Sequence, residues 1–168
     1  VFRAGQRPDA SRYTVIPRTL TFLTRPGEVL LIRVPEHKGA WAGQLNGIGG
    51  HIEAGEDPLT AAQRELAEEA GLRASRLRLV GAIVIDVGES PGIALWVFVG
   101  ECDGAPQASA EGQPLWVPLE NLGRYDLVED IPEVLPLALR CFQDGTTFTG
   151  IYQFKPGGQA VRTFTTAA

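Results

Sequence analysis

The sequence predicts an α+β fold, a mixed β-sheet accompanied by two main helices. Three observations carry this expectation. Segments rich in β-branched and apolar residues recur along the chain, Pro- and Gly-centred turns join neighbouring pairs of them, and two capped helical segments separate those pairs. A chain of 168 residues with 44% apolar and 21% charged content can bury a core without metal or disulfide staples. It reads as one domain over residues 13–168 behind a short leader, 1–12, without internal repeat or linker.

The first pair of strands lies within residues 14 to 34. Thr19-Leu20-Thr21-Phe22-Leu23-Thr24 alternates apolar and hydroxyl side chains, and Val29-Leu30-Leu31-Ile32-Arg33-Val34 is nearly all apolar. Arg25-Pro26-Gly27-Glu28 places Pro and Gly where a type II turn needs them, so the two segments form a hairpin. A Gly-rich loop follows from Gly39 to Gly50. The first helix comes next, with Asp57 as cap, Pro58 in the first turn and Gly71 as a left-handed stop. Its narrow apolar stripe is Leu59, Ala62, Leu66 and Ala70.

Leu77 to Val87 and Ile93 to Gly100 form a second hairpin around Glu89-Ser90-Pro91-Gly92. Asp103 to Pro114 is a polar loop, Leu115-Trp116-Val117 a short strand, and Pro118 to Leu122 a helical turn. Ile131 to Phe142 is the second helix; Pro136 inside it calls for a kink or a late start. Thr146 to Phe154 and Ala160 to Phe164 close the chain as a hairpin around Pro156-Gly157-Gly158.

Several function classes are excluded at this level. No apolar run approaches the roughly 18 residues of a membrane span, and the N-terminus lacks an apolar core of signal-peptide length. Net charge is −5 and no basic stripe is visible, so a nucleic-acid polymer is not the partner. Cys102 and Cys141 form no metal-ligand or CxxC spacing; they read as buried free thiols, and a cytoplasmic address follows. An acidic protein can still act on a polyanion when divalent cations bridge the two.

The acidic residues cluster where such chemistry would need them. Glu65, Glu68 and Glu69 stand three and four residues apart on a helix face beside the apolar stripe, so their carboxylates converge. Like charges at that spacing repel, and Arg64 relieves them only in part by reaching Glu68. Acidic helix faces are usually just solvated. Here, however, Gly47-Ile48-Gly49-Gly50 comes before the helix and lets backbone amides and carbonyls face a ligand, and Glu53 and Glu56 lie in the turn between. Carboxylate oxygens of this kind suit a hard cation such as Mg²⁺ or Mn²⁺.

Gly50, Glu56 and the run Arg64-Glu65-Leu66-Ala67-Glu68-Glu69-Ala70-Gly71-Leu72 match the Nudix box, G-x5-E-x7-R-E-U-x-E-E-x-G-U, at every specified position. From ordinary residue usage, a match at one given start has a chance on the order of one in a billion. The chain therefore resembles the Nudix hydrolases, metal-dependent enzymes that cleave a phosphoanhydride with water, and the flanking elements fit their α/β/α sandwich around a mixed sheet. The resemblance implies that Glu65, Glu68 and Glu69 bind Mg²⁺ or Mn²⁺, with the Gly50 carbonyl as a further ligand. It implies that Arg64 orients these carboxylates and that Glu56 is its loop-side partner. The general base is a box glutamate or an acid from a later loop; Glu111 is the best-placed of the latter, and as an exposed loop acid it has an equally plain reading.

Outside the box, the signatures of the coenzyme A, NADH, ADP-ribose and dinucleoside polyphosphate branches are missing. Asn46-Gly47-Ile48-Gly49-Gly50 is instead similar to the segment of MutT-like enzymes that sanitise oxidised purine nucleotides. Trp116, Leu135-Pro136-Leu137 and Thr149 to Phe154 also resemble that group. Asn46 would read the base edge, although Asn before Gly also simply makes a turn. Asp130 falls where the group has the first of two base-reading aspartates. Val128 falls at its stacking Trp and Ile131 at its second Asp, which weakens strict 8-oxo-dGTP selectivity. His51 can meet a phosphate or serve loop hydrogen bonding. Trp41 can stack a base or pack on the core, and His37 and Lys38 read as solvated. The resemblance implies a small-molecule nucleotide as partner, a nucleoside triphosphate first and a nucleotide sugar or other diphosphate compound second, with no membrane. A nucleotide sensor without turnover would not need all three glutamates. Monomer and homodimer are both compatible with the sequence.

Overall fold

The structure, a computed structural model, describes residues 11–155 and 158–167. Most of the leader, residues 1–10, and Pro156 and Gly157 of the last turn lie outside the described residues.

Strand β1 (Val15–Arg25) turns through Pro26 and Gly27, where φ is +77°, into β2 (Glu28–Arg33), and the two pair antiparallel at Leu23 with Leu30. A left-handed residue is what a type II turn demands, and glycine adopts it without strain. The long β1 then continues past the end of β2. Its other edge pairs in parallel with β5 (Gly92–Glu101), which pairs antiparallel with β4 (Arg76–Asp86). Strand β7 (Thr147–Phe154) joins β4 in parallel, and β8 (Ala160–Ala167) closes that side. The short β3 (Leu45–Asn46) and β6 (Gln113–Pro118) both pair with β2. The resulting order is β3-β2-β1-β5-β4-β7-β8, with β6 on β2: the mixed sheet expected from the sequence.

Each face of the sheet carries one helix. Helix α1 (Pro58–Ala70) starts at Asp57, whose carboxylate accepts from the Leu59 and Thr60 amides, and stops at Gly71 with φ +65°. It sets Leu66 and Ala70 against Leu23, Leu30, Ile32 and Ile48. Its buried face differs from the expected stripe. Leu59 is 42% exposed, and the buried residues are Ala61, Ala62, Glu65, Leu66, Glu69 and Ala70. The face turned inward is thus partly acidic, because it meets a loop as well as a sheet.

Helix α2 (Ile131–Asp144) covers the opposite face, with Val134, Leu135, Ala138 and Cys141 packed among Phe22, Val80, Val97 and Phe148. The helix begins at Ile131 and runs through Pro136, so the late start does not occur. The amide that Pro136 lacks would have bonded the carbonyl of Pro132, in the first turn, and the buried residues on either side hold the helix regardless. Both cysteines are free and buried, and no helix among the described residues is long and apolar enough to cross a membrane.

Candidate active site

The Gly-rich loop is fastened along the edge of β1. The Thr19 amide donates to the Gly50 carbonyl (2.9 Å), Thr21 and Ile48 exchange two backbone bonds (2.6 and 3.0 Å), and the Ile52 amide donates to the Pro17 carbonyl (3.1 Å). Close approach explains the glycines. A Cβ at Gly49 would overlap the Thr19 carbonyl, and one at Gly50 would overlap the Glu65 carboxylate. Only glycine lets the carboxylate of α1 lie against the loop backbone.

Arg64 organises the acidic residues around this contact. Its guanidinium donates to both oxygens of Glu56 (2.7 and 3.0 Å), to Glu65 Oε1 (2.9 Å), to Glu68 Oε2 (3.0 Å) and to the His51 carbonyl (3.0 Å). The Arg64 bonds, with a further bond from the Glu53 amide, hold the Glu56 carboxyl below the ordinary carboxylate range. They also make Arg64 still harder to deprotonate. A planar fork that joins loop, turn and helix is a task for arginine rather than lysine.

The three helix glutamates do not share one environment. Glu68 is exposed and drawn to Arg64, whereas Glu65 and Glu69 are buried, at 8% and 7% exposure. Burial raises the Glu65 carboxyl despite Arg64. Burial, then the nearby Glu65, pushes Glu69 up to about 8, and its one direct bond among the described residues is a long one from the Gly49 amide (3.3 Å). Two buried carboxylates that repel each other beside a backbone loop form a donor set for a hard cation. Among the described residues no group of three or more His, Cys, Asp or Glu side chains is placed to hold a metal ion, so the expected convergence of Glu65, Glu68 and Glu69 narrows to the buried pair, with Glu68 drawn off to Arg64. Two carboxylates suffice for Mg²⁺, which takes one or two from the protein and fills its shell with water and substrate phosphate. The Gly50 carbonyl already accepts from Thr19, and a second lone pair remains for such an ion.

Glu111 reaches the same region from the loop before β6. It pairs with Lys38, and its charge raises both Glu65 and Glu69. Lys38 is an exposed loop residue, as expected, and in addition pairs with Glu111, because the fold brings the loops after β2 and before β6 together. His51 contributes its carbonyl to Arg64, and its ring is exposed.

A cavity of about 310 Å³ opens on the other side of the Gly49-Gly50 loop. Asn46 and Asp130, both expected to read a base, line it together, as do Trp41 and Val128. The Asn46 side-chain oxygen accepts from the Gly47 amide (2.8 Å), which leaves its NH₂ group as the free donor. Trp41 is 45% exposed at this cavity and does not pack on the core. Ile131 is fully buried in the core, so the position of a second base-reading aspartate has turned away from the cavity.

Among the cavity-lining residues that the sequence did not mark as part of the site are Arg18 and Tyr152, the latter within the matched stretch Thr149 to Phe154. The alternation of β7 could have found Tyr152, since Phe148 and Tyr152 share the buried side of the strand. Arg18 carries no local signal; only the parallel pairing of β1 with β5 places it at the cavity.

Comparison with known proteins agrees with this geometry. Residues 16–138 match the NUDIX domain. The chain is 32% identical to an oxidized purine nucleoside triphosphate hydrolase of Danio rerio over 139 residues, 82% of this chain and 85% of that protein. It is 35% identical to the Mus musculus protein of the same name over 125 residues, 73% and 78% of the two chains. The crystal structure of a mutator MutT protein from Bacillus halodurans superposes with a TM-score of 0.70 at 20% identity, covering 90% of this chain and 97% of that one.

Proposed function

The chain belongs to the NUDIX family of hydrolases, and on that premise we propose that it cleaves a nucleoside triphosphate, an oxidised purine nucleotide foremost, to the monophosphate and pyrophosphate with Mg²⁺ or Mn²⁺. The observation that carries the reading is the buried pair Glu65 and Glu69, set against Gly50 and Gly49, with a cavity lined by the same loop. The two curated relatives, named for that substrate class, support the nucleotide.

In this reading Glu65 and Glu69 with the Gly50 carbonyl would hold the cation, and Glu68 would join them from its place on Arg64. When bound, the cation neutralises the pyrophosphate and lowers the pKa of the attacking water. Arg64 keeps Glu65 and Glu68 aimed and ties them to Glu56, so the donor set is assembled before substrate arrives. Glu111, held by Lys38, accepts the proton of the water as it attacks. Asn46 donates its NH₂ to the base, Asp130 meets another edge of it, and the backbone at Gly49 and Gly50 passes beside the phosphates, with the exposed His51 next in the loop to meet one. The working unit is a single hydrolase domain over residues 13–168, acting in the cytoplasm on small nucleotides as a monomer or homodimer.

The test is a panel of dNTPs, 8-oxo-dGTP, ADP-ribose and nucleotide sugars, assayed with Mg²⁺ or Mn²⁺ and again with EDTA. Triphosphates should be turned over to pyrophosphate, and EDTA should abolish turnover. Full activity in EDTA, or turnover of ADP-ribose alone, would overturn the proposal.

A further inference from the structure

Asp130 stands in the position that caps α2, yet it does not cap it. Its φ and ψ, −96° and −18°, are helical rather than extended, and its side chain makes no capping bond. The carboxyl lines the cavity instead, where Tyr152 on β7 donates its phenolic hydrogen to Oδ2 (3.2 Å). The Tyr152 ring is itself fixed, 4% exposed and edge-on to Phe164 with centroids 6.0 Å apart.

Directly across the β7–β8 ladder from Tyr152 is Arg162. Its guanidinium lies over the Tyr152 ring, 5.4 Å from the centroid, and bonds Glu133 (2.9 Å) and Glu129 (3.2 Å). Three acids within one turn, Glu129, Asp130 and Glu133, would repel each other at the start of α2. Arg162 takes the two outer ones and leaves the middle one to Tyr152. Its own side chain is only 12% exposed, held between the Tyr152 ring and the open carboxylates of Glu129 and Glu133.

We propose that Tyr152 and Arg162 are positioning residues that hold the Asp130 carboxyl toward the cavity, so that base selection depends on the C-terminal hairpin. The inference rests on the reading of Asp130 as a base contact. With Oδ2 engaged by Tyr152, the other oxygen is the one presented to a ligand, in one orientation. Burial raises the Asp130 carboxyl, while the Tyr152 hydrogen bond and, less strongly, Arg162 oppose that rise, so the hairpin also bears on its protonation. Loss of the phenol frees the carboxyl to rotate without changing the shape of the cavity, and loosens recognition of the base while the phosphate chemistry continues.

The experiment measures kcat and KM for 8-oxo-dGTP, dGTP and dTTP in the full chain and in Tyr152→Phe, Asp130→Asn and the double variant. Tyr152→Phe keeps the ring, so folding is preserved, and thermal unfolding checks it. The expected result is a rise in KM of about tenfold for the preferred nucleotide with kcat little changed, and preferences drawn together across the three. In the Asp130→Asn background the same substitution should add nothing. Arg162→Gln should shift the preferences in the same direction. If Asp130→Asn alters the preferences and Tyr152→Phe does not, this inference fails and the base-contact reading stands. If Asp130→Asn leaves them unchanged, or none of the three is turned over, both fail. An equal loss of kcat on all three in Tyr152→Phe would mark a merely structural residue and overturn the inference.

Discussion

Helices α1 and α2 open and close with the same local signals, yet they serve the site in opposite ways. Each follows an aspartate, has a proline in its first turn and ends at a left-handed glycine, Gly71 or Gly145. The Asp57 carboxylate caps the α1 amides, while the Asp130 carboxylate faces the cavity and the first α2 amides bond the backbone carbonyls of Val128 and Asp130 instead. The bodies of the helices differ in the reverse sense. The buried face of α1 includes two glutamates, whereas that of α2 is apolar throughout. What separates them is the neighbour each meets: a Gly-rich loop with room for carboxylates in one case, a continuous apolar sheet face in the other. Identical capping residues therefore say little about function until the partner surface is known.

The contrast breaks most sharply at the carboxylates of α1. Glu69→Gln and Glu68→Gln are each expected to lower kcat by about a hundredfold or more, roughly 3 kcal/mol of transition-state stabilisation, with the fold intact by circular dichroism. Wild-type-like turnover by either would remove that residue from the mechanism.

The two substitutions should part company in the metal-free protein. The Glu69 carboxyl is ordinary, near 4.5, in the unfolded chain and lies at about 8 in the fold. Between those values the folded state binds the extra proton, so stability is greatest at the acid end and falls as pH rises toward 8. Thermal unfolding in EDTA should therefore show a Tm that declines over this range from the Glu69 contribution. Added Mg²⁺ should restore it at the alkaline end. Glu69→Gln should flatten the decline and Glu68→Gln should not; an unchanged slope in Glu69→Gln would refute the assignment.

Smaller effects test the cavity and the caps. Asn46→Ala removes one donor to the base and the acceptor of the Gly47 amide, and should raise KM by about tenfold with a lesser change in kcat. Asp57→Ala should cost about 1 kcal/mol of stability, read in urea, and leave nucleotide preference untouched. Asp130→Asn should do the reverse, shifting preference with a smaller loss of stability. If the two aspartates behaved alike, the distinction between a capping and a cavity-facing residue would collapse.

The sequence by itself determined most of the elements, the short β3 excepted, and the run of glutamates along α1. The first hairpin follows from Pro26-Gly27, the limits of α1 from Asp57, Pro58 and Gly71, and the grouping of Glu65, Glu68 and Glu69 from helical spacing. All of these are short-range: turn geometry, capping and the 3.6-residue repeat act within a few residues and leave a periodic trace. Only the tertiary structure decided which carboxylates are buried, that Lys38 meets Glu111, and that Leu59 faces outward. It also decided that Asn46, Arg18, Asp130 and Tyr152 share one cavity. Those relations depend on β1 pairing with β5 and β4 with β7, strands far apart in the chain. Parallel pairings of this kind bring distant side chains together without any local pattern to announce them, because hydrogen bonds along a ladder are made by the backbone of every sequence alike.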